Sequence, residues 1–307
     1  MIDILMATYN GEEFIEEQLN SILNQSYSNW RLIVSDDCSQ DNTVSIVKEY
    51  QNKYPDKILL FQNDRPSGSA QNNFFNAIKY TSANYVMFSD QDDIWLPNKI
   101  KDTFNLIRKM ELEDSMETPV LVHTDLMVVD KDLKEIKSSM FEMMDMDSNR
   151  CALNNLLVQN IVTGCTVMCN RALINFIQKV PKNAVMHDMW IAMVASAFGK
   201  IGFIDATTIL YRQHGRNSVG AKNTKSLSYI FYKIFHSKEI HNSLAKQYRQ
   251  AKEFREIFGD KLSDSQIEML ESYSSFESKC FIDKYKVLKK YKMFKNNKIQ
   301  VLGQIFG

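Results

Sequence analysis

Three carboxylates within four residues form the densest chemical cluster of the chain. Asp90, Asp92 and Asp93 follow the apolar run Tyr85–Ser89, whose composition predicts a buried strand. On an extended chain Asp90 and Asp92 project to the same side, with α-carbons about 6.5 Å apart. Both can then share one hard cation, or one can bind the ion while the other binds a ribose. Mg²⁺ and Mn²⁺ favour such oxygen ligands and commonly bridge to substrate phosphates.

A D-x-D sequence on its own is more often a solvated turn that caps the next helix. Here the cluster follows a predicted buried strand and precedes Trp95 and Pro97, and other predicted strands also end in acidic residues. This context favours a functional site over a solvated turn. Because adjacent carboxylates repel one another, we expect a positive group close by.

The elements around this cluster alternate between strands and helices, which predicts an α/β sandwich with a largely parallel sheet. Strands are predicted at 2–8, Trp30–Ser35, Ile58–Phe61, Tyr85–Ser89 and Val120–Val129, with helices near 12–25, 43–54, 69–80 and 98–110. Ligands of such sheets bind outside the carboxyl ends of the strands. This rule directs attention to Thr8–Gly11, Asp36, Asp37, Asp64 and the carboxylate cluster.

The alternation is less strict after residue 150. Thr163–Cys169 and Ile201–Tyr211 are predicted strands, and Asp188–Phe198 is a predicted helix. We expect this part to complete the sheet and to form the second half of the site. From Ser226 onward the pattern is helical, with many Lys, Tyr and Phe residues.

The 307 residues carry 37 basic and 37 acidic side chains, so the net charge is zero, but the charges are distributed unevenly along the chain. Residues 1–221 have 20 basic and 28 acidic groups (−8), whereas 222–307 have 17 and 9 (+8). The composition excludes a disordered chain, a coiled-coil rod and a uniformly basic nucleic-acid binder. The sequence has no signal peptide pattern or long apolar run, and its five cysteines are an odd number, so we expect a cytoplasmic protein with reduced thiols.

Several motifs of the chain resemble family 2 glycosyltransferases of the GT-A fold. The first three are Ala7–Gly11, Val34–Thr43 and Phe88–Lys99. Two later segments, His187–Trp190 and Tyr211–Asn217, resemble the bacterial rhamnosyltransferase branch, which builds rhamnose-containing cell-surface polysaccharides.

The resemblance spans about residues 2–221 and implies a Rossmann-like α/β/α sandwich with a C-terminal helical extension. We predict a catalytic domain over 1–221, with a nucleotide-sugar half (1–115) and an acceptor half (116–221), followed by a basic helical region over 222–307. The likeness also implies inverting transfer from a nucleoside-diphosphate sugar, with Mn²⁺ or Mg²⁺ as cofactor. It favours dTDP-rhamnose as donor and leaves UDP-glucose or UDP-galactose open.

The resemblance implies that residues at the ends of the first two strands bind the nucleotide. By this likeness Thr8, Tyr9 and Glu12 line the nucleotide pocket, and Asp36 or Asp37 contacts the base. The alternative for Asp36 and Asp37 is turn chemistry, since Asp is favoured in turns.

The leaving phosphate gains negative charge as the sugar bond breaks, and a bound cation stabilises it as a Lewis acid. Asp92 is the best metal ligand, and Asp90 is expected on the metal, in its outer shell or on the ribose. His214 is a further metal ligand, a phosphate contact or a hydrogen-bonded loop histidine. Arg212 pairs with diphosphate oxygens or forms a surface salt bridge.

The acceptor hydroxyl needs a base within hydrogen-bond reach. The resemblance places Asp188 in this role, and a helix N-cap is the alternative; His187 is the second candidate base. Trp190 offers an apolar face to a sugar ring or fills a core. Gly164 allows the backbone to approach the acceptor closely.

The end of the chain is basic and amphipathic. Residues 284–307 contain seven lysines and no acid, interleaved with Tyr285, Leu288, Tyr291, Phe294, Ile299 and Leu302. Such a segment can lie on an anionic membrane; a solvated appendage and a dimer contact are the alternatives. The resemblance implies a lipid-linked glycan acceptor, which would make contact with the inner face of the cell membrane useful. Nucleic acid is not an expected partner, because no recognised motif supports it.

A non-catalytic nucleotide-sugar-binding partner in a polysaccharide assembly complex is the alternative function. The retained Asp90, Asp92 and Asp188 speak against it. A dehydrogenase would need a glycine-rich turn after the first strand, where only Gly11 is present.

Overall fold

The computed structural model describes residues 1–179, 181–215, 237–296 and 298–306. These residues form two compact units. The sheet unit comprises the described residues of 1–140, 162–180 and 198–221, and the helical unit comprises those of 141–161, 181–197 and 222–307.

One mixed sheet carries the sheet unit, with strands in the order β3-β2-β1-β4-β8-β6-β9-β5 and β7 paired to β6. Strands β1 to β4 are parallel, β8 runs antiparallel to both its neighbours, and β6 and β9 are parallel. The bounds are Ile2–Thr8 (β1), Trp30–Asp36 (β2), Ile58–Gln62 (β3), Tyr85–Ser89 (β4), Ile94–Trp95 (β5), Val120–Asp130 (β6), Glu135–Lys137 (β7), Met168–Asn170 (β8) and Lys200–Gln213 (β9).

Helices cover the sheet and build the helical unit. The sheet unit contains Ile15–Leu23 (α1), Thr43–Lys53 (α2), Ala70–Ala77 (α3), Lys99–Glu113 (α4) and Arg171–Phe176 (α7). Helix Met140–Met144 (α5) begins at the last residue of a sheet-unit segment. The remaining helices are Leu153–Leu156 (α6), His187–Phe198 (α8, whose last residue belongs to the sheet unit), Ser237–Phe258 (α9), Asp264–Ser274 (α10), Phe281–Tyr291 (α11) and Lys298–Phe306 (α12).

The central strands are buried because their side chains are apolar on both faces. Strand β4 is buried along its whole length, as is β1 except at Ala7. Helix α1 presents Ile15, Leu19 and Ile22 to the core at helical spacing, and all three are fully buried. This packing fixes where β1 and β4 end, and therefore where the loops that follow them meet.

The predicted α/β class is confirmed, with a mixed rather than largely parallel sheet. The predicted strand Thr163–Cys169 forms later than expected, because 164–166 is a turn of 3₁₀-helix and the strand itself is Met168–Asn170. The predicted division at residues 221 and 222 lies outside the described residues and stays a prediction. Arg216 and Asn217 of the rhamnosyltransferase-like segment also lie outside them.

The helical unit has an aromatic core of its own. Trp190 of α8 is fully buried against Phe254 and Phe258 of α9, with ring centroids 5.3 and 6.1 Å away. In the predicted basic tail, Leu288 is fully buried and Tyr291 is half-buried. The side chains of Ile299 and Leu302 lie outside the description. Among the described residues, no helix combines the length and apolar composition needed to cross a membrane.

Candidate active site

The loops after β1 and β2 are joined to each other by side-chain hydrogen bonds. Thr8 Oγ1 donates to Asp36 Oδ2 at 2.9 Å, and the Asn10 amide donates to Ser39 Oγ at 2.9 Å. In return, the Gln40 amide donates to Asn10 Oδ1 at 2.8 Å. Thr8 is buried, so its side chain is not accessible to a nucleotide. Its predicted contribution to nucleotide binding would therefore be indirect, through the two loops that it joins.

The two carboxylates at the end of β2 are occupied by protein donors. Asp36 accepts from Thr8 Oγ1 and from the amide and hydroxyl of Ser39, at 2.5 to 2.9 Å. Asp37 accepts from Asn63 Nδ2 at 2.8 Å and from the amide and hydroxyl of Ser67 at 2.7 and 2.8 Å. Both are buried. These contacts agree with the turn-building alternative for both residues; a role in base binding stays a prediction.

Glu12 and Tyr9 differ in what they offer to a ligand. Glu12 Oε2 accepts from the amide and the Nδ2 of Asn42 at 2.9 and 2.7 Å, so it anchors the start of α2. The Tyr9 side chain is 56% exposed, beside that anchored loop. Of these two residues, Tyr9 has the more open face for a nucleotide base.

Gln91 ties residues 90–93, here called the carboxylate loop, to the end of β1. Its Oε1 accepts from the Tyr9 amide at 2.9 Å, and its Nε2 donates to the Tyr9 carbonyl at 3.0 Å. A Cβ at Gly11 would lie 2.3 Å from Gln91 Oε1, so any larger residue there would displace the end of the Gln91 side chain. The residue between Asp90 and Asp92 therefore has a positioning role of its own.

The end of β9 supplies the partner of Asp92. His214 Nε2 lies 2.7 Å from Asp92 Oδ2, and both side chains retain a little exposure, 11% for His214 and 16% for Asp92. The imidazole packs on the Phe14 ring with centroids 4.8 Å apart. Two of the predicted metal ligands, far apart in sequence, thus meet at one edge of the sheet.

Arg212 is a buried clamp on the carboxylate loop. Its side chain donates to the carbonyls of Asp92 and Lys131 at 3.0 and 2.7 Å and forms an ion pair with Glu17. Its backbone amide donates to Asp93 Oδ1 at 3.2 Å. The predicted salt bridge is thus present, but only Glu17 lies at the surface: its side chain is 55% exposed, whereas Arg212 is 2% exposed. Its guanidinium already holds protein carbonyls, which leaves the predicted diphosphate contact without support from the geometry.

Asp93 and Lys99 lie fully buried behind this loop. In the described part of the chain, neither Asp93 Oδ2 nor Lys99 Nζ has a hydrogen-bond partner. Burial, followed by the charges of Asp92 and Asp90, raises the pKa of the Asp93 carboxyl well above its usual range. Burial lowers the pKa of Lys99 to about 8, and its ammonium lies 4.8 Å from the centre of the Trp95 ring.

The predicted acceptor residues divide between the two units. In the sheet unit, Gly164 opens the buried 3₁₀ turn of residues 164–166. In the helical unit, Asp188 lies in the first turn of α8, where Oδ1 accepts from Asn160 Nδ2 at 3.1 Å and from the Met189 amide at 2.5 Å. Asn160 and the helix start together fix the direction of the Asp188 carboxylate.

His187 and Trp190 are buried in the helical unit. Burial lowers the pKa of His187 to about 3, so its imidazole is neutral at neutral pH and a weak proton acceptor. Trp190 is enclosed by aromatic rings and presents no open face to a sugar. The packing therefore agrees with the core alternative for Trp190 and makes Asp188 the better base of the two candidates.

Comparison with known proteins identifies the family of this chain. Residues 3–146 match the family described as Glycosyl transferase family 2. The dTDP-rhamnosyl transferase RfbG of Shigella flexneri is 33% identical over 227 residues, which cover 70% of this chain and 74% of that protein. The chain belongs to glycosyltransferase family 2. The resemblance predicted from the motifs is therefore confirmed, and with it the enzyme class.

Solved structures confirm the predicted GT-A fold of this family 2 glycosyltransferase. S. aureus TarS 1-349 in complex with UDP superposes with a TM-score of 0.59 at 18% identity, covering 90% of this chain and 72% of that one. The mannosyltransferase PcManGT from Pyrobaculum calidifontis, in complex with GDP-Man and Mn²⁺, gives 0.53 at 14% identity, covering 99% and 85%.

The chemistry of the donor set in this family 2 enzyme fits a hard divalent cation. Neighbouring ligand atoms on one Mg²⁺ or Mn²⁺, each about 2.1 Å from it, lie about 3 Å apart. Asp92 Oδ2 and His214 Nε2, at 2.7 Å, need to separate only slightly to reach that spacing. Asp90, two residues before Asp92, offers a further carboxylate.

A second set of donor atoms fits less well. One ligand atom each of Asp90, Asp93 and Cys165 lies within 4.8 Å of the others. However, burial raises the pKa of both Asp93 and the Cys165 thiol, which favours their protonated forms. Protonated groups bind metal poorly, so Asp92 and His214 form the better pair.

Sequence reasoning missed the roles of three residues of this glycosyltransferase. Asp93, Lys99 and Gln91 each belong to a quoted motif, yet none was assigned a place in the site. The expected positive group near the carboxylates was the available signal, and Lys99 and Arg212 are the buried cations that the structure places there. Nothing in the sequence distinguishes a buried lysine at the start of a helix from an exposed one.

Proposed function

We propose that this family 2 glycosyltransferase is an inverting, metal-dependent enzyme that moves rhamnose from dTDP-rhamnose to a lipid-linked surface polysaccharide. The observation that carries the metal-dependent part is the 2.7 Å pair of Asp92 and His214 beside the carboxylate loop. The identity to a dTDP-rhamnosyl transferase supports the donor. A UDP-sugar donor is the alternative, since TarS is seen with UDP.

Asp92 and His214, with Asp90, would hold Mn²⁺ or Mg²⁺. The cation supplies Lewis acidity toward the leaving diphosphate. Arg212 keeps Asp92 in position through the backbone of the loop. Gln91 holds the same loop against Tyr9, whose exposed ring would meet the nucleotide.

Asp188 would take the proton of the acceptor hydroxyl. Its Oδ1 is held by Asn160 and by the start of α8, so the carboxylate has a fixed orientation. Attack from the face opposite the leaving diphosphate then gives inversion at the sugar carbon.

A lipid-linked acceptor would bring the enzyme to the inner face of the cell membrane, and the basic residues of 284–307 are the predicted means of contact. The excess of eight positive charges over 222–307 supports this proposal.

Transfer from dTDP-rhamnose, UDP-glucose and UDP-galactose to a polyprenyl-diphosphate-linked saccharide, with Mn²⁺ and with EDTA, tests the proposal. The expected result is a rhamnosylated product, formed only with metal and detected by mass spectrometry. Asp188→Asn should bind the donor with wild-type affinity yet lose transfer. Wild-type turnover of Asp188→Asn would show that another residue is the base. Product formed only from a UDP-sugar would show that dTDP-rhamnose is not the donor.

A further inference from the structure

Helix α11 carries an apolar surface that points away from the core. Phe281, Ile282 and Tyr285 are 55%, 50% and 47% exposed, and all three lie within five residues of one another. Single exposed apolar side chains are ordinary, whereas an adjacent group of large ones commonly marks a contact site. Two of the three precede the basic segment that the sequence predicts for membrane contact.

The two sides of α11 have different surroundings. At about 100° per residue, Phe281, Tyr285, Lys289 and Ile282 share an arc of about 100°. The fully buried Leu288, which attaches the helix to its unit, lies only about 20° from Phe281 on this wheel, and the half-buried Lys284, Val287 and Tyr291 continue the inner side from there. Tyr285 also packs on Phe294, with ring centroids 6.2 Å apart, yet Phe281, Ile282 and Tyr285 each keep about half of their surface exposed.

Lysines border the outer apolar residues. Lys286, Lys289 and Lys290 are all exposed on the same side of α11. Lys286 pairs with Asp283 at 3.1 Å and Lys290 with Glu268 at 2.6 Å, between side chains that are all at least half exposed. Exposed pairs of this kind are weak and can exchange for other anions.

We propose that Phe281, Ile282, Tyr285 and the three lysines form a docking face for an anionic lipid bilayer, with α11 lying in the plane of the headgroups. Apolar side chains enter the acyl boundary while lysines extend to lipid phosphates. A second copy of the chain fits this face poorly, because two such faces would bring six lysines together. The inference deepens the proposed function, since a lipid-linked acceptor is met at the bilayer surface.

Vesicle co-sedimentation of the full chain tests this face without donor, acceptor or metal. Wild-type protein should bind phosphatidylglycerol/phosphatidylcholine vesicles and should bind pure phosphatidylcholine far less. The variant Phe281→Ser/Ile282→Ser/Tyr285→Ser should lower the partition coefficient at least tenfold. Lys286→Gln/Lys289→Gln/Lys290→Gln should lower it about fivefold for each lysine, and added salt should weaken wild-type binding in the same direction.

A matched control removes equally exposed apolar residues of the sheet unit. Leu112→Ser/Met116→Ser/Ile136→Ser replaces side chains that are 78%, 55% and 49% exposed, and binding should be unchanged. Equal loss in control and α11 variants would overturn the proposal, as would equal binding to neutral and anionic vesicles. A serine variant that binds vesicles normally but shifts a self-association equilibrium would also overturn it, in favour of a dimer contact.

The two proposals fail separately. Vesicle binding that depends on α11, in a protein with no transfer activity, would support the docking face and reject the proposed function. Transfer that persists when α11 variants no longer bind vesicles, measured with a detergent-solubilised acceptor, is the expected result. Loss of transfer under those soluble conditions would contradict a role confined to the membrane.

Discussion

The strands on either side of β1 both end in adjacent carboxylates, and their surroundings are opposite. At the end of β2, Asp36 and Asp37 each accept three hydrogen bonds from the protein. After β4, Asp93 Oδ2 and Lys99 Nζ are buried without a partner in the described residues. The hydrogen bonds at the β2 end hold two loops together, whereas the β4 end keeps buried polar groups without partners beside the Asp92 and His214 pair.

The contrast shows how similar residue types acquire different roles. Hydrogen-bonded carboxylates stabilise the folded chain, and their removal leaves donors unpaired. Buried groups without partners cost stability and are typical of functional sites. Substitutions at the β2 end should therefore lower stability, whereas those at the β4 end should lower activity or, where they remove a buried group without a partner, raise stability.

The largest effect is expected at Asp92. Asp92→Asn should reduce transfer at least about 1000-fold, because the Lewis acid that stabilises the leaving group is worth several kcal/mol. Its unfolding free energy should stay within about 1 kcal/mol of wild type, since removing one of several like charges relieves repulsion. Steady-state transfer assays and urea unfolding measure the two quantities.

Asp56→Asn is the matched control for that substitution, because Asp56 is an exposed aspartate in the turn before β3. It should leave both quantities unchanged. Wild-type turnover of Asp92→Asn in the presence of EDTA would show that the reaction does not depend on a metal. The two strand ends would then not differ in function as proposed.

The second effect is expected at Asp36. Asp36→Ala should lower the unfolding free energy by about 3 kcal/mol, because Thr8 and Ser39 lose the acceptor of three hydrogen bonds. Urea unfolding followed by circular dichroism measures the change. A variant as stable as wild type that no longer binds the nucleotide would place Asp36 among the ligand contacts instead.

The fold was largely predictable because its signals are local. The apolar runs of β1, β2 and β4 and the helical spacing in α1 are read directly from residue types. Strands β5 and β7 are only two and three residues long, too short for a period to show. The antiparallel β8 depends on its partners β4 and β6, which no local pattern identifies.

The location of the candidate site was predictable from the sequence, whereas most of its contacts were not. The rule of strand ends located Asp36, Asp90 and Asp92 together, and the structure brings His214 to Asp92. Roles that depend on counting hydrogen bonds were not predictable. Arg212 differs from an exposed arginine only through partners that lie 81 to 195 positions away in the chain.

The third effect, at Lys99, has the opposite sign. Lys99→Met should raise the unfolding free energy at pH 7 by about 2 kcal/mol, because burial holds the folded pKa at about 8, below its usual 10.5. The unfolded chain binds this proton more tightly, so wild-type stability should rise between pH 8 and pH 10.5. The gain from Lys99→Met should shrink over the same window.

Urea unfolding from pH 6 to pH 10.5 checks the Lys99 prediction. Lys101→Met, at an exposed position two residues further along α4, is the matched control and should show no such pH dependence. A Lys99→Met protein that is less stable than wild type at pH 7 would mean that the amine pairs with a carboxylate, and the β4 end would then resemble the β2 end.

The smallest effect is expected at Cys38, which follows the two saturated carboxylates. Cys38 has φ = 65°, a left-handed conformation that favours glycine and costs other residues about 1 kcal/mol. Cys38→Gly relieves this cost but loses the 3.1 Å contact from Sγ to the Asn63 carbonyl and makes the unfolded chain more flexible. The net gain in stability should be below about 1 kcal/mol, with transfer unchanged.

Cys38→Val should instead lower the unfolding free energy by more than about 1 kcal/mol, because a β-branched side chain tolerates positive φ worst. Equal melting temperatures for the glycine and valine variants would show that backbone strain plays no part in how the β2 end is stabilised.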